Sequence, residues 1–207
     1  MRAAWELLRQ YLTPAPTSVF KMYTNERSDH NGWEFKGFQP GEEEICLEFD
    51  PPSPGSFTIT LEYGEDNDFI SIDLNSDALQ AGKNAATLYT ELAGILTHAR
   101  SGWSGGGPLS PYSLMWHKFY PEFSFAGRKS DFTGFQWMTF MSNDELAKNG
   151  GEALLDQPDF HAVTRFEHGA LFQVCAEMEA TGTPEVQEIM RTATFRWAEL
   201  NQVPVGQ

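Results

Sequence analysis

Between residues 44 and 74, apolar side chains alternate with polar and acidic ones, and this pattern constrains the fold more than any other feature of the chain. A period of two is typical of strands with one buried face. Three such runs, 44–49, 56–63 and 70–74, are separated by segments rich in Pro, Gly, Asp and Asn. Because such connections are short and favour turns, the sequence predicts an antiparallel meander.

The same region carries no positive charge. Residues 41–82 contain 11 Asp and Glu and no Lys or Arg, while the whole chain of 207 residues has a net charge of −15. Since successive side chains of a strand point to opposite faces, the apolar residues should face the core and the carboxylates should share the other face. We predict a partner-binding face formed by Glu44, Glu48, Glu62 and Asp73, with Glu65, Asp66 and Asp68 at its rim.

The charge indicates which partners the protein favours. A strongly negative field repels nucleic acid and anionic membrane surfaces, and it attracts basic proteins and accelerates their association. Solubility alone is the alternative explanation, because a net charge far from zero keeps proteins dispersed.

The remaining pattern favours an α+β fold with antiparallel sheets and packed helices. Helices are predicted over 3–12, 84–100, 144–155 (interrupted at Gly150-Gly151) and 184–200, the last with Thr183 as its N-cap and a buried stripe that runs to Leu200. Strands are predicted over 19–23 and 135–141, with a hairpin over 162–175, whereas 25–32 is predicted to be a loop. The length suits one domain, 1–207, with possible halves 1–101 and 130–202 and a possible pseudo-repeat between them.

Residues 102–131 join the possible halves and are rich in Gly, Pro and aromatic residues. Long irregular segments inside compact domains are often functional. Most of the aromatic side chains are expected in the core. Trp103, Tyr112 and Trp116 lie beside Gly and Pro, and we predict that they contact a partner.

Compartment is predicted from three features. No run of apolar residues is long enough to span a bilayer. Glu6 lies where a signal peptide needs its apolar segment. Cys46 and Cys175 lie within apolar runs and are expected to be buried free thiols of a reducing compartment, the cytoplasm.

The sequence contains no convincing catalytic, metal or cofactor motif, so we predict a binding protein and no enzyme. Residues 102–106 match G-x-S-x-G, but a helix is predicted before Ser104 instead of the strand that a nucleophile elbow needs, so they are interpreted as a glycine-rich helix exit. The acids at 65–68 lack the spacing of an EF-hand loop. The five His and two Cys show no metal-ligand spacing, and no nucleotide-binding fingerprint is present.

The last third of the chain resembles the immunity protein 52 family of bacterial polymorphic-toxin and type VI secretion systems. The resemblance lies in Gly134–Ser142, Leu154-Leu155, His168–Val174 and the pattern Pro184-Glu-Val…Arg191…Leu200. It implies a cytoplasmic α+β protein without catalytic residues that binds and blocks a cognate toxin encoded beside it, in this family a nuclease.

Two other functions stay open at the level of sequence. An acidic adaptor would bind a basic partner without relieving toxicity, and an enzyme of unrecognised type would need a pocket with convergent polar groups. The sequence does not specify the oligomeric state.

Overall fold

The computed structural model describes the chain over residues 2–13, 18–21, 26–29, 32–33, 44–48, 57–63, 68–74, 78–95, 103–106 and 134–203. For the strands before residue 107, the structure describes the backbone and its pairing. The chain divides into two compact units, Met1–Leu88 and Tyr89–Gln207. The boundary lies inside a helix, whereas the sequence placed its possible boundary at residue 101.

The first unit begins with helix α1, Arg2–Tyr11. Its apolar residues recur at helical spacing, and Trp5, Leu8, Tyr11 and Leu12 are buried. The Trp5 indole Nε1 donates a hydrogen bond to the carbonyl oxygen of Trp33 at 3.0 Å. Two further hydrogen bonds, from Thr13 N to Ala78 O and from Gln80 N to Tyr11 O, tie the end of the helix to residues 78–80.

A five-stranded antiparallel sheet forms the rest of the described first unit. Its strands are β1 (Ser18–Lys21), β2 (Glu26–Asp29), β3 (Glu44–Glu48), β4 (Phe57–Tyr63) and β5 (Asp68–Leu74), in the spatial order β2-β1-β3-β4-β5. The predicted meander β3-β4-β5 is confirmed. The predicted loop at 25–32 is wrong in part, because β2 pairs with β1 there. Its sequence, Glu-Arg-Ser-Asp, has no alternation of apolar and polar residues. The segment is therefore a strand because it pairs with β1, and not because of a local sequence pattern.

Helix α2, Ala85–Ile95, crosses the boundary between the units. Asn84 precedes it, and the Asn84 Oδ1 accepts a hydrogen bond from Thr87 N at 2.8 Å, which satisfies one free amide of the first turn. The residues 96–100 of the predicted helix lie outside the described part of the chain.

The second unit contains a four-stranded antiparallel sheet in the order β6-β7-β9-β8. Its strands are β6 (Trp103–Gly106), β7 (Met138–Ser142), β8 (Ala162–Phe166) and β9 (Gly169–Gln173). The predicted hairpin of β8 and β9 is confirmed. The helix exit predicted at 102–106 is wrong, since β6 pairs with β7 in the register Ser104↔Phe140. Ser104 is therefore inside a strand and not at the strand-to-helix turn that a nucleophile elbow requires.

Three helices cover this sheet: α3 (Asn143–Lys148), α4 (Glu152–Leu155) and α5 (Pro184–Leu200), with a 3-10 helix at Met178–Gly182. Gly150 and Gly151 have φ values of 114° and 60°, which side chains disfavour, so the helical region is interrupted where the sequence predicted. Thr183 caps α5 as predicted: its hydroxyl accepts a hydrogen bond from Val186 N at 3.4 Å.

The core of the second unit lies between the sheet and α5. Phe135, Phe160 and Phe172 pack against one another with ring centroids 4.7 to 5.3 Å apart. Trp197 of α5 is 1% exposed and belongs to the same cluster. The predicted apolar stripe of α5 is right for Val186, Ala193 and Trp197 but wrong at its end, because Leu200 is 44% exposed.

The antiparallel sheets and packed helices confirm the α+β class. The two sheets differ in strand number and order, and the described residues show no pseudo-repeat. Within the same residues, no helix is both long and apolar enough to cross a membrane.

Candidate functional site

The register of the first sheet determines which residues share a face. Glu44 lies directly opposite Glu62, and Thr58 lies opposite Asp73. Residues two apart on one strand share a face, and so do directly paired residues on neighbouring strands. Glu44, Glu48, Glu62 and Asp73 are therefore on one face of the sheet, which we call the acidic face.

The opposite face carries most of the large apolar residues. The pairs Ile45↔Leu61, Leu47↔Ile59 and Ile59↔Ile72 place these residues together on the face away from Glu44. The separation of acidic from apolar residues across β3, β4 and β5 has two exceptions: Phe69, paired with Glu62, lies on the acidic face, and Asp68 lies on the apolar face. The residues on the apolar face of these strands, apart from Asp68, are Ile45, Leu47, Phe57, Ile59, Leu61, Tyr63, Ile70, Ile72 and Leu74.

The acidic face also includes residues that the sequence interpretation missed. The pairs Phe20↔Arg27 and Phe20↔Cys46 place Arg27, on the edge strand β2, on this face. Cys46 is paired with Thr60, which is paired with Ser71, so a row of small polar residues crosses the face between the acids. Arg27 could not have been assigned to this face from the sequence, because β2 was not predicted to be a strand.

The residues predicted at the rim have different positions. Asp68 is the first residue of β5 and is paired with Tyr63, so it lies at the hairpin end of the sheet on the side opposite the acidic face. Glu65 and Asp66 lie outside the described residues.

The predicted aromatic contacts are described only in part. Trp103 is the first residue of β6 and is paired with Met141 of β7, so it belongs to a sheet instead of an irregular loop. Tyr112 and Trp116 lie outside the described residues.

A surface pocket of about 420 Å³ is present in the second unit, between the end of α4 and the last turns of α5. It is lined by apolar side chains of Ala153, Pro158 and Leu200 and by polar ones from both segments. The sequence interpretation missed this pocket because its walls come from residues about 45 positions apart and carry no shared motif.

A buried polar network lies at the junction of α3 and α5. Asn149, 2% exposed, accepts a hydrogen bond at Oδ1 from the Trp197 Nε1 at 2.9 Å, and its Nδ2 donates to the Glu145 carbonyl at 2.8 Å. Glu145 is also buried, and its carboxylate is 2.6 Å from the Lys148 Nζ. The polar side chains of this network are paired with one another, so it joins two helices and is not an open binding site.

The remaining groups with reactive chemistry are the Cys175 thiol and the side chains that can bind metal ions. Burial raises the pKa of the Cys175 thiol, and the nearby Glu177 carboxylate acts in the same direction, so the thiol is less nucleophilic at neutral pH than an exposed cysteine. Among the residues that the structure describes, no three His, Cys, Asp or Glu side chains are placed to hold a metal ion.

Comparison with known proteins gives no assignment: no family model, curated protein or solved structure matches the chain.

Proposed function

We propose that this protein acts in the cytoplasm by binding and neutralising a cognate secreted toxin, a basic nuclease, and that it catalyses no reaction. The observation that carries the proposal is the register of the first sheet. It aligns Glu44, Glu48, Glu62 and Asp73 on one face, within a stretch of 42 residues that contains 11 acids and no base.

Like charges on neighbouring strands reduce the stability of a sheet. In the described register one such pair is directly opposed, Glu44 and Glu62, and it costs up to about 1 kcal/mol relative to a neutral pair. Solubility needs only net charge, which can be spread over the whole surface. A concentration of charge on one face is better explained by a partner whose charge is complementary.

A nuclease is a suitable partner on physical grounds. Proteins that grip phosphates carry Lys and Arg in their binding groove. An acidic face docked on such a groove excludes the nucleic acid and associates rapidly because long-range attraction steers the encounter. The resemblance of residues 130–200 to the immunity protein 52 family favours a toxin as this partner. No family model supports the resemblance, so the toxin is the part of the proposal to test first.

The toxin is tested by rescue. The product of the gene adjacent to this one is expressed in a sensitive cell with and without the protein, and growth is measured. Rescue with formation of a stable complex is expected. If the neighbouring product is toxic and co-expression leaves growth arrested, the protein is no immunity protein against it.

The acidic face is tested by association kinetics with that product. We expect the charge reversal Glu44→Lys, Glu48→Lys, Glu62→Lys and Asp73→Lys to reduce the association rate constant at low salt by about 10-fold or more and to flatten its salt dependence. The matched control reverses four exposed acids of the second unit, Asp144, Glu167, Glu177 and Glu185. Equal effects of both variants would show that net charge alone governs association.

An acidic adaptor is the second candidate, because the same face fits any basic protein. The two functions differ in the rescue experiment. An adaptor would bind a basic partner through the acidic face and would leave the growth of intoxicated cells unchanged.

A further inference from the structure

Asn149 is followed directly by Gly150, and Asn-Gly is a dipeptide prone to spontaneous deamidation. The main-chain nitrogen after an asparagine can attack the side-chain carbonyl carbon, and glycine obstructs this attack least because it has no Cβ. A bond forms between Gly150 N and Asn149 Cγ, the Cγ–Nδ2 bond breaks, and ammonia leaves with the proton of the Gly150 amide. Water then opens the succinimide to aspartate or isoaspartate. The dipeptide therefore carries the chemistry of a modification site.

The fold holds the Asn149 side chain out of this reaction through both of its polar atoms. The side chain is buried. Its Oδ1 accepts a hydrogen bond from the Trp197 Nε1 at 2.9 Å, and its Nδ2 donates to the Glu145 carbonyl oxygen at 2.8 Å. Because the carboxamide is bonded on both sides, Cγ cannot turn toward the Gly150 nitrogen without breaking buried hydrogen bonds.

The main chain at Asn149 is fixed as well. Its ψ is 19°, which places the Gly150 nitrogen beside the nitrogen of Asn149 and away from its Cβ. Ring closure needs the other arrangement, in which the Gly150 nitrogen lies next to Cβ. The Asn149 carbonyl oxygen accepts a hydrogen bond from the Asn201 Nδ2 at 2.9 Å, and this bond opposes the rotation. The reactive atoms are therefore kept apart by the folded conformation.

The end of α5 provides two of these three hydrogen bonds. Trp197 lies in its last turns, and Asn201 follows its last residue. The Asn201 Nδ2 also donates to the Trp197 carbonyl oxygen at 2.8 Å, so the two contacts are joined. A Cβ built at Gly150 would lie 3.6 Å from the Leu200 side chain, which shows how closely the helix end covers the dipeptide. Detachment of this end would release the side chain and the main chain of Asn149 together.

We propose that Asn149-Gly150 is a latent deamidation site protected by the end of α5, so that local opening of this end leads to irreversible modification. Helix ends open locally at a lower free-energy cost than whole-protein unfolding, so the reaction does not need the unfolded chain. The inference concerns this chain alone and does not rest on the proposed function.

The product of the reaction no longer fits the network. The Asn149 Nδ2 lies 3.3 Å from Oε2 of the buried Glu145. A carboxylate in place of the amide would face the Glu145 carboxylate, and the Lys148 Nζ, 2.6 Å from Glu145 Oε1, is a single positive charge for both. Like charges at a buried position repel and lose hydration. The modified chain should therefore be less stable, and its α5 end should open more often.

The test measures deamidation of the full-length protein by peptide mass spectrometry, after incubation at neutral pH with and without denaturing urea. A second Asn-Gly in the chain, Asn31-Gly32, is the reference in urea. Both sites should react at similar rates there, because each is followed by glycine in an unfolded chain. Without urea, Asn149 should react at least about 30-fold more slowly than in urea, because the open state is rarely populated.

Two variants each remove one of the protecting hydrogen bonds. Trp197→Phe and Asn201→Ala should each raise the rate at Asn149 in the folded protein by about fivefold or more and leave the rate in urea unchanged. The matched control is Trp137→Phe, which removes an indole hydrogen bond of the same length to the Cys175 carbonyl oxygen. It should accelerate the reaction less, because this bond lies outside the α3–α5 junction.

Asn149→Asp reproduces the aspartate product and should lower the urea midpoint. The control Asn143→Asp changes an exposed amide at the start of α3 that donates to the Glu167 carbonyl oxygen, so it should lower the midpoint less. Equal rates at Asn149 with and without urea, equal acceleration by the Trp197 and Trp137 variants, or an unchanged midpoint for Asn149→Asp would each overturn the proposal.

Discussion

Among the described glycines, Gly169 is the one with least space for a side chain. It begins β9 opposite Ser142, and a Cβ at this position would fall on the carbonyl oxygen of Met141 and lie 2.9 Å from Cζ of Phe140. We expect Gly169→Ala to lower the free energy of unfolding by about 1–3 kcal/mol, because neighbouring backbone must move. Urea denaturation followed by circular dichroism measures this.

Gly182→Ala is the matched control for that substitution. A Cβ there has no heavy atom within 4 Å, so the stability should be unchanged or higher by up to about 1 kcal/mol, through a smaller entropy of the unfolded chain. Equal midpoints for the two variants would mean that β7 and β9 are farther apart than the structure places them.

Cys175 allows a prediction about pH at the level of one side chain. Since burial raises the pKa of its thiol, the pH–rate profile for alkylation by iodoacetamide should have a higher midpoint in the folded protein than in urea. Cys46→Ser leaves Cys175 as the sole thiol for this measurement. Coincident midpoints would contradict the raised pKa, whereas a lower rate with the same midpoint would show steric protection alone.

The same shift determines the sign of a small effect on stability. A raised pKa means that the folded state favours the protonated thiol. Its contribution to stability is therefore complete below the thiol's ordinary pKa and is lost as the pH rises through the raised value.

At the level of elements, α3 and α5 are joined by the hydrogen bond from Trp197 Nε1 to Asn149 Oδ1. Asn149→Ala should destabilise the protein by about 2–3 kcal/mol, because it leaves the buried indole N–H unpaired and removes buried amide contacts. Trp197→Phe removes the hydrogen-bond donor. The double variant should therefore lose about 1 kcal/mol less stability than the sum of the losses in the two single variants. Additive losses in urea denaturation would show that the hydrogen bond between Trp197 and Asn149 does not contribute to holding the two helices together.

Helices and strands with a cap residue or an alternating pattern of their own were predictable from the sequence. Strands that depend on pairing with a neighbouring strand were not. The Thr183 cap followed by Pro184 identified the start of α5, and alternation identified β4 and β5. In contrast, Trp103–Gly106 has two glycines and no alternation, so β6 depends on its pairing with β7. Helical periodicity also predicted burial of Leu200, although the core ends one turn earlier, at Trp197 and Ala198.

The same distinction applies to the candidate site. The shared face of Glu44, Glu48, Glu62 and Asp73 follows from a period of two and was predictable before any register was known. The position of Arg27 on that face needed the pairing of β1 with β2. The pocket beside Leu200 needed the packing of α5 against the loop after α4, which no local pattern specifies.

At the level of the whole molecule, charge is unevenly distributed along the chain. Eleven of the 29 acids lie in residues 41–82 without a base, whereas the other 18 are nearly balanced by 14 Lys and Arg. Self-repulsion should therefore be concentrated in the first unit. The Debye length falls from about 30 Å at 0.01 M salt to about 10 Å at 0.1 M, so salt should relieve this repulsion.

We expect the urea midpoint to rise as NaCl increases from about 10 to 300 mM, a range over which screening becomes strong. Glu44→Gln with Glu62→Gln removes a directly opposed pair, so it should stabilise the protein at low salt by about 0.2–1 kcal/mol and lose that advantage at high salt. The control Glu167→Gln with Glu177→Gln removes the same charge from exposed positions of the second unit and should change the midpoint less. If both double variants gain equally, repulsion follows net charge and not position. If neither gains, the carboxylates of the acidic face are already compensated within the fold, and the case for a basic partner on that face loses its energetic argument.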